Sequence, residues 1–199
     1  MKASRVFLAA LFLALLPVHA SAQKACVVPG RGQFRIHADA GGLFGAFAHD
    51  HLIEAQKIEG CATVNDKNPA QSSVKLTFQA ANLRVLDPKE KADDRAKVQK
   101  TMETEVLAVA QHPQITFEST GIESAGADQF RVSGNLTIRG KSQPAVIPVT
   151  LKRLGDGSYE VTGAYKFKQS AFGIKPISLG GGTVKVKDEV KTEFDLFLK

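Results

Sequence analysis

The run with the most obvious chemistry is His49-Asp50-His51. On an extended strand, residues two apart project to one face, so His49 and His51 would present two imidazoles side by side. That is the beginning of a metal shell. A zinc shell needs at least one further protein ligand, and the nearest candidates are His37 and Asp39 on the preceding strand. The competing reading is structural, with Asp50 capping a turn or fixing an imidazole tautomer. Two ligands do not complete a site, so no functional metal is expected.

Other routes to chemistry are missing. There is no Gly-x-Ser-x-Gly, no His-Glu-x-x-His and no Cys-x-x-Cys. Gly180-Gly181-Gly182 falls between strands and reads as a turn, not a phosphate cradle. Asp93-Asp94 lies in a charged helical stretch and reads as solvated surface. These absences argue against an enzyme. Two other readings stay open: a metal-binding or catalytic envelope protein built on His49 and His51, and a ligand-free envelope stress or interaction protein with a solid core.

The N-terminus addresses the chain. Lys2 and Arg5 form a basic start, Val6 to Leu16 is an apolar run too short to span a bilayer comfortably, and Ala20-Ser21-Ala22 is a small-residue cleavage site. The expectation is a signal peptide over 1–22 and one domain over 23–199, placed in the periplasm or secreted. No stable membrane span follows it. Cys26 lies four residues beyond the cut, behind Gln23-Lys24-Ala25, a poor context for lipidation. Cys26 and Cys61 are the only two cysteines. An even count in an exported chain suggests a disulfide between them; two unpaired thiols are the alternative. The formal charge of +6 loses two positive charges with Lys2 and Arg5. So mild a charge on an exported chain makes nucleic acid an unexpected partner.

The elements that must carry these residues are strands. Apolar and polar residues alternate over Gln129–Gly140, Ser158–Lys168, Thr183–Lys199, Ser73–Leu83 and Gln33–Asp39. His51–Val64, with a break near Gln56, Gln114–Thr120 and Ala145–Leu154 are less regular. Turn signals separate these eight or nine segments, among them Asn65 to Pro69, Gly140 to Pro144 and Gly155-Asp156-Gly157. Pro88–Gln111 departs from the pattern. Val98, Met102, Val106 and Val109 recur at helical spacing, predicting one or two helices near 89–111 over the end of the sheet. Long one-sided strands favour antiparallel neighbours, and closure hides their edges. The expected fold class is all-β, an up-and-down antiparallel barrel of about eight strands.

A barrel of that size is filled by side chains or holds one small ligand. The chain has twelve Phe, two Tyr and no Trp, so its aromatic bulk is mostly apolar. Phe34, Phe78, Phe117, Phe130, Tyr165, Phe167 and Phe194 fall on apolar faces and are the candidate lining, with Phe172 at the mouth. Gly134 and Gly163 point inward between larger residues and leave room.

The order of several blocks resembles the YceI-like family of exported lipid-binding barrels. The blocks are Phe34-Arg35-Ile36 with Gly45-Ala46-Phe47-Ala48-His49-Asp50, and Met102 to Leu107 with His112-Pro113-Gln114-Ile115-Thr116-Phe117-Glu118-Ser119. Gly134-Asn135-Leu136-Thr137-Ile138-Arg139-Gly140 and Phe172-Gly173-Ile174 complete them. The resemblance implies a lipocalin-like barrel with an elongated apolar cavity. It implies a hydrophobic small-molecule partner, a polyisoprenoid or similar long amphiphile such as an isoprenoid quinone, held in a carrier or storage role. No cofactor is expected beyond such a bound lipid. A homodimer is compatible with the sequence.

Overall fold

The computed structural model describes residues 22–42, 50–179 and 183–199. Eight antiparallel strands close a barrel: β1 (Gln23–Ala38), β4 (Ile58–Val64), β5 (Ser73–Gln79), β7 (Gln114–Ser124), β8 (Gln129–Ile138), β9 (Lys141–Arg153), β10 (Tyr159–Lys168) and β13 (Glu189–Leu198). Each pairs with its neighbour in chain order, and β13 returns to β1 through pairs from Val27↔Leu198 to His37↔Lys191. The short strands β3 (His51–Ala55) and β6 (Leu83–Val85) extend the sheet beside the second half of β1. A separate three-stranded sheet joins β2 (Ala40–Gly41), β11 (Ser178–Leu179) and β12 (Val184–Val186).

The boundaries differ from the sequence pattern in informative ways. β1 begins ten residues before Gln33, because Gln23 to Cys26 pair with β4. Cys26 therefore faces Cys61 in register, and the two form a disulfide. Cross-linking residues 35 apart in sequence stabilises the fold by about 4 kcal/mol in the chain-entropy view. β9 starts at Lys141, inside the stretch that reads as a turn, because Arg139 and Gly140 both take positive φ (51° and 70°) and make a two-residue hairpin. The last segment breaks at Lys187-Asp188, where Asp188 turns aside to accept the Ser170 N–H at 2.8 Å. The break near Gln56 separates β3 from β4 as the pattern implies.

One seam is incomplete. The β9–β10 ladder runs from Tyr159↔Arg153 only to Gly163↔Val149, although both strands continue. Pro148 and Pro144 follow on β9, and a proline has no N–H to give a ladder. Val146 between them is 53% exposed.

A plug closes one end. Helix α1 (Ala92–Thr101) continues into a wider turn over Met102–Val106, whose last N–H, on Leu107, reaches the Met102 carbonyl. That is one helix, shorter than the sequence stretch suggests. Met102, Val106, Leu107 and Val109 pack on Leu83, Ile138, Phe172 and Ile174. Gln99 fastens α1 to the free edge of β6, donating to the Leu83 carbonyl at 2.9 Å and accepting from the Val85 N–H at 2.8 Å. Arg139 donates to the carbonyls of Glu105 and Val106, satisfying acceptors that the helical turn leaves open. Among the described residues no helix is long and apolar enough to cross a membrane.

Candidate functional site

Alternation puts one face of every barrel strand inside, and the inner faces do not meet. They enclose a cavity of about 400 Å³, within the range of small-molecule sites. Its wall is aliphatic and aromatic, including Phe34, Phe78, Phe117, Phe130, Tyr165, Phe167 and Phe194 beside Leu76, Val132, Ile147 and Leu196. Along β10 the wall runs from Tyr159 to Phe167. That is about 26 Å of strand at roughly 3.3 Å per residue, so the space is a channel rather than a round chamber.

Ring packing shapes the channel. Phe34 stacks on Phe194 at 5.5 Å between centroids and meets Phe78 edge-on at 4.8 Å. Tyr165 stacks on Phe167 at 6.3 Å. The Tyr165 hydroxyl finds no hydrogen-bond partner among the described residues, and burial pushes its pKa up. Thr192, opposite Tyr165, donates its hydroxyl to the Tyr165 carbonyl at 3.1 Å, which satisfies the one buried inward hydroxyl of β13.

Three of the residues singled out from sequence sit elsewhere. Gly134 and Gly163 do not face free space. A Cβ on Gly134 would lie 2.6 Å from Phe117 Cζ, and one on Gly163 would lie 2.5 Å from Phe194 Cζ. The room left by each missing side chain is taken by a ring of the neighbouring strand. Phe172 is not at the mouth. The turn Gln169–Phe172 folds it inward, 2% exposed, with its ring edge-on to Phe167 at 5.4 Å inside the plug.

The open end carries the charge. The loop between β4 and β5 is held by buried Asn65, whose amide donates to Gln71 Oε1 and whose Oδ1 accepts the N–H groups of Lys67 and Asn68. This ordering brings Asp66 to Arg153 at the end of β9, Nη1 to Oδ2 2.9 Å, an ion pair across the mouth between residues 87 apart. Asp128, in the β7–β8 turn, is set beside β9 by the Leu151 N–H donating to its carbonyl at 2.9 Å. All three residues line the cavity. Tyr159 closes the wall beneath them, 1% exposed, with the Arg153 guanidinium 5.8 Å above its ring. Burial, and then the negative charge of Asp66, push the Tyr159 hydroxyl above its ordinary pKa. Sequence reasoning missed this rim, because charges beside turns read as solvated surface.

His49 lies outside the described residues. His51 is described, and its partner is not Asp50. The ring donates Nδ1–H to Asp87 Oδ2 at 2.7 Å, while Asp87 Oδ1 accepts the Leu52 N–H at 2.7 Å. Asp50 instead accepts the Ala40 N–H at 2.8 Å. The two further candidate ligands are engaged as well. His37 Nε2 lies 3.2 Å from Glu193, close in distance but outside hydrogen-bond geometry, and Asp39 pairs with Lys187. Among the described residues no three His, Cys, Asp or Glu side chains gather closely enough to hold a metal.

The family model described as the YceI-like domain matches residues 27–198. The chain belongs to the YceI-like domain family. Among its relatives, a UPF0312 protein of Pseudomonas aeruginosa is 30% identical over 161 residues, covering 78% of this chain and 75% of that protein. Another, from Azotobacter vinelandii, is 31% identical over 122 residues, covering 59% of this chain and 60% of that protein, less than two thirds of its length. The crystal structure of Burkholderia cenocepacia BcnA superposes with a TM-score of 0.68 at 22% identity, covering 86% of this YceI-like chain and 98% of BcnA. A polyisoprenoid binding domain from Saccharophagus degradans, implicated in plant cell wall breakdown, superposes with a TM-score of 0.64 at 10% identity over 89% of this chain and 98% of that one. At such identities the likeness to solved structures is one of fold: the closed lipocalin-like barrel.

Proposed function

We propose that this YceI-like protein is an exported, non-catalytic binding protein. Its barrel holds the tail of a polyisoprenoid or other long amphiphile, such as an isoprenoid quinone, for carriage or storage in the periplasm or outside the cell. The observation that carries the reading is the channel itself, about 400 Å³, walled by apolar side chains, plugged at one end and opening at a polar rim. A long narrow space suits an extended tail better than a compact polar substrate. Each methylene taken from water contributes roughly 0.8 kcal/mol, so a tail of a few isoprene units reaches micromolar affinity or better after the costs of association. The Saccharophagus fold neighbour, described as binding a polyisoprenoid, adds support. The leader over 1–22 and the Cys26–Cys61 disulfide support export.

The test is native mass spectrometry of the protein purified from its own cell envelope, followed by organic extraction. A co-purifying long-chain lipid at near-unit stoichiometry is expected. Protein that arrives empty and also fails to take up a fluorescent polyprenyl probe would sink the reading.

A further inference from the structure

We infer that the rim selects a neutral, hydroxyl-bearing head group and discriminates against an anionic one on the same tail. The inference rests on the tail-binding reading and adds the chemical class of the head. Apolar lining fills the channel, so a long amphiphile with its tail inside leaves its head at the rim, where water and the charged wall residues are. Those residues are Asp66, Asp128 and Arg153, two carboxylates against one guanidinium. The guanidinium is already spoken for, because Arg153 donates to Asp66 at 2.9 Å. The Asp128 carboxylate makes no hydrogen bond or ion pair with a described side chain. Lys67 and Lys152, neighbours in sequence, are exposed and lie off the wall.

A phosphate or carboxylate head would therefore meet an unpaired carboxylate, and could recruit Arg153 only by breaking its pair with Asp66. Like charges so placed are repelled unless screened. A hydroxylated neutral head meets the opposite situation. Its O–H donates to Asp128, and its oxygen lone pairs accept one of the guanidinium N–H groups that Asp66 leaves unused. Alcohol, phenol and quinol heads share that pairing of one donor with an acceptor. The Tyr165 hydroxyl, far down β10 towards the plug, is another polar group on the wall with no hydrogen-bond partner among the described residues. It defines the alternative in which the head enters first.

The experiment competes geranylgeraniol and geranylgeranyl monophosphate, one tail with two heads, against a bound fluorescent polyprenyl probe on the full-length mature protein. The alcohol is expected to displace the probe at about tenfold lower concentration at low salt, with the gap narrowing as salt rises. In Asp66→Asn/Asp128→Asn, two conservative changes at the exposed rim, the ratio of the two displacement concentrations should fall towards one. Because both ligands displace the same probe, any change in probe affinity cancels in that ratio. Monophosphate binding as tightly as the alcohol would overturn the inference. So would a ratio unmoved in the double variant, or one that responds to Tyr165→Phe instead, which places the head at the plug. In each of those outcomes the fluorescent tail still binds and the carrier reading survives. A protein that binds no fluorescent probe sinks both.

Discussion

At the plug end, Leu107, Ile138, Phe172 and Ile174 are each under 10% exposed and packed against one another. At the rim end, Phe130 and Leu151 stand half-buried on the wall of an unfilled channel, beneath an ion pair. The strands supply the same inward apolar alternation to both ends. The difference is what comes in from outside the barrel. α1, its following turn and the Gln169–Phe172 turn add packed apolar side chains to one end, while the loops at the other add small, polar and charged ones such as Pro69, Ala127, Asp66 and Asp128. Tight packing and open apolar surface are thus separated along one axis.

The contrast breaks if the two ends respond alike to truncation. Phe172→Ala should cost about 3–5 kcal/mol in chemical denaturation, because it opens a void in packed surroundings. Its effect on a bound tail should be small by comparison. Phe130→Ala borders space that is already empty and half-exposed, so its stability cost should be about 1 kcal/mol. A comparable loss of contact with the tail would weaken probe binding about fivefold. Equal stability losses, with equal binding losses, would show that the ends are not divided in this way.

Gly163→Leu sharpens the middle of the comparison. The added side chain meets the Phe194 ring and the Pro148 carbonyl, 2.5 and 2.8 Å from the position of its Cβ. The cost should appear first in folding, about 1–3 kcal/mol from overpacking. Thermal melting and probe titration of the same variant separate the effects. A fully stable variant that no longer binds would mean that the space beside Gly163 belongs to the ligand and not to the ring.

The smallest effect concerns two matching serine–carboxylate pairs, one at each end. Asp156 in the β9–β10 hairpin is held below its ordinary pKa chiefly by the Ser158 side chain, and Asp188 at the start of β13 chiefly by Ser170. A carboxyl whose folded pKa is depressed contributes stability that is complete above its unfolded value and lost as pH falls through the folded one. Asp188→Asn and Asp156→Asn should therefore lower the Tm slightly at pH 7, and the gap from the unsubstituted protein should close on acidification below pH 4. A gap that persists at low pH would assign the effect to packing.

The sequence by itself determined the strands, the closed barrel and the apolar interior, because alternation is a local property that each strand carries in its own residues. Even the cysteine pairing was legible, since a chain with only two cysteines leaves one intramolecular choice. What filled the interior was not. Gly134 and Gly163 read as gaps, yet whether a gap belongs to a ligand depends on which ring lies across it. Phe117 and Phe194 arrive there only through cross-strand register. The sequence offers Asp50 either to cap a turn or to fix an imidazole; the carboxylate beside His51 is instead Asp87, 36 residues on, while Asp50 accepts the Ala40 N–H. Asp66 and Arg153 read as two unrelated surface charges until closure set them across one opening. Tertiary structure decided the rim, the plug and the free volume between them, since each depends on distances between segments far apart in the chain.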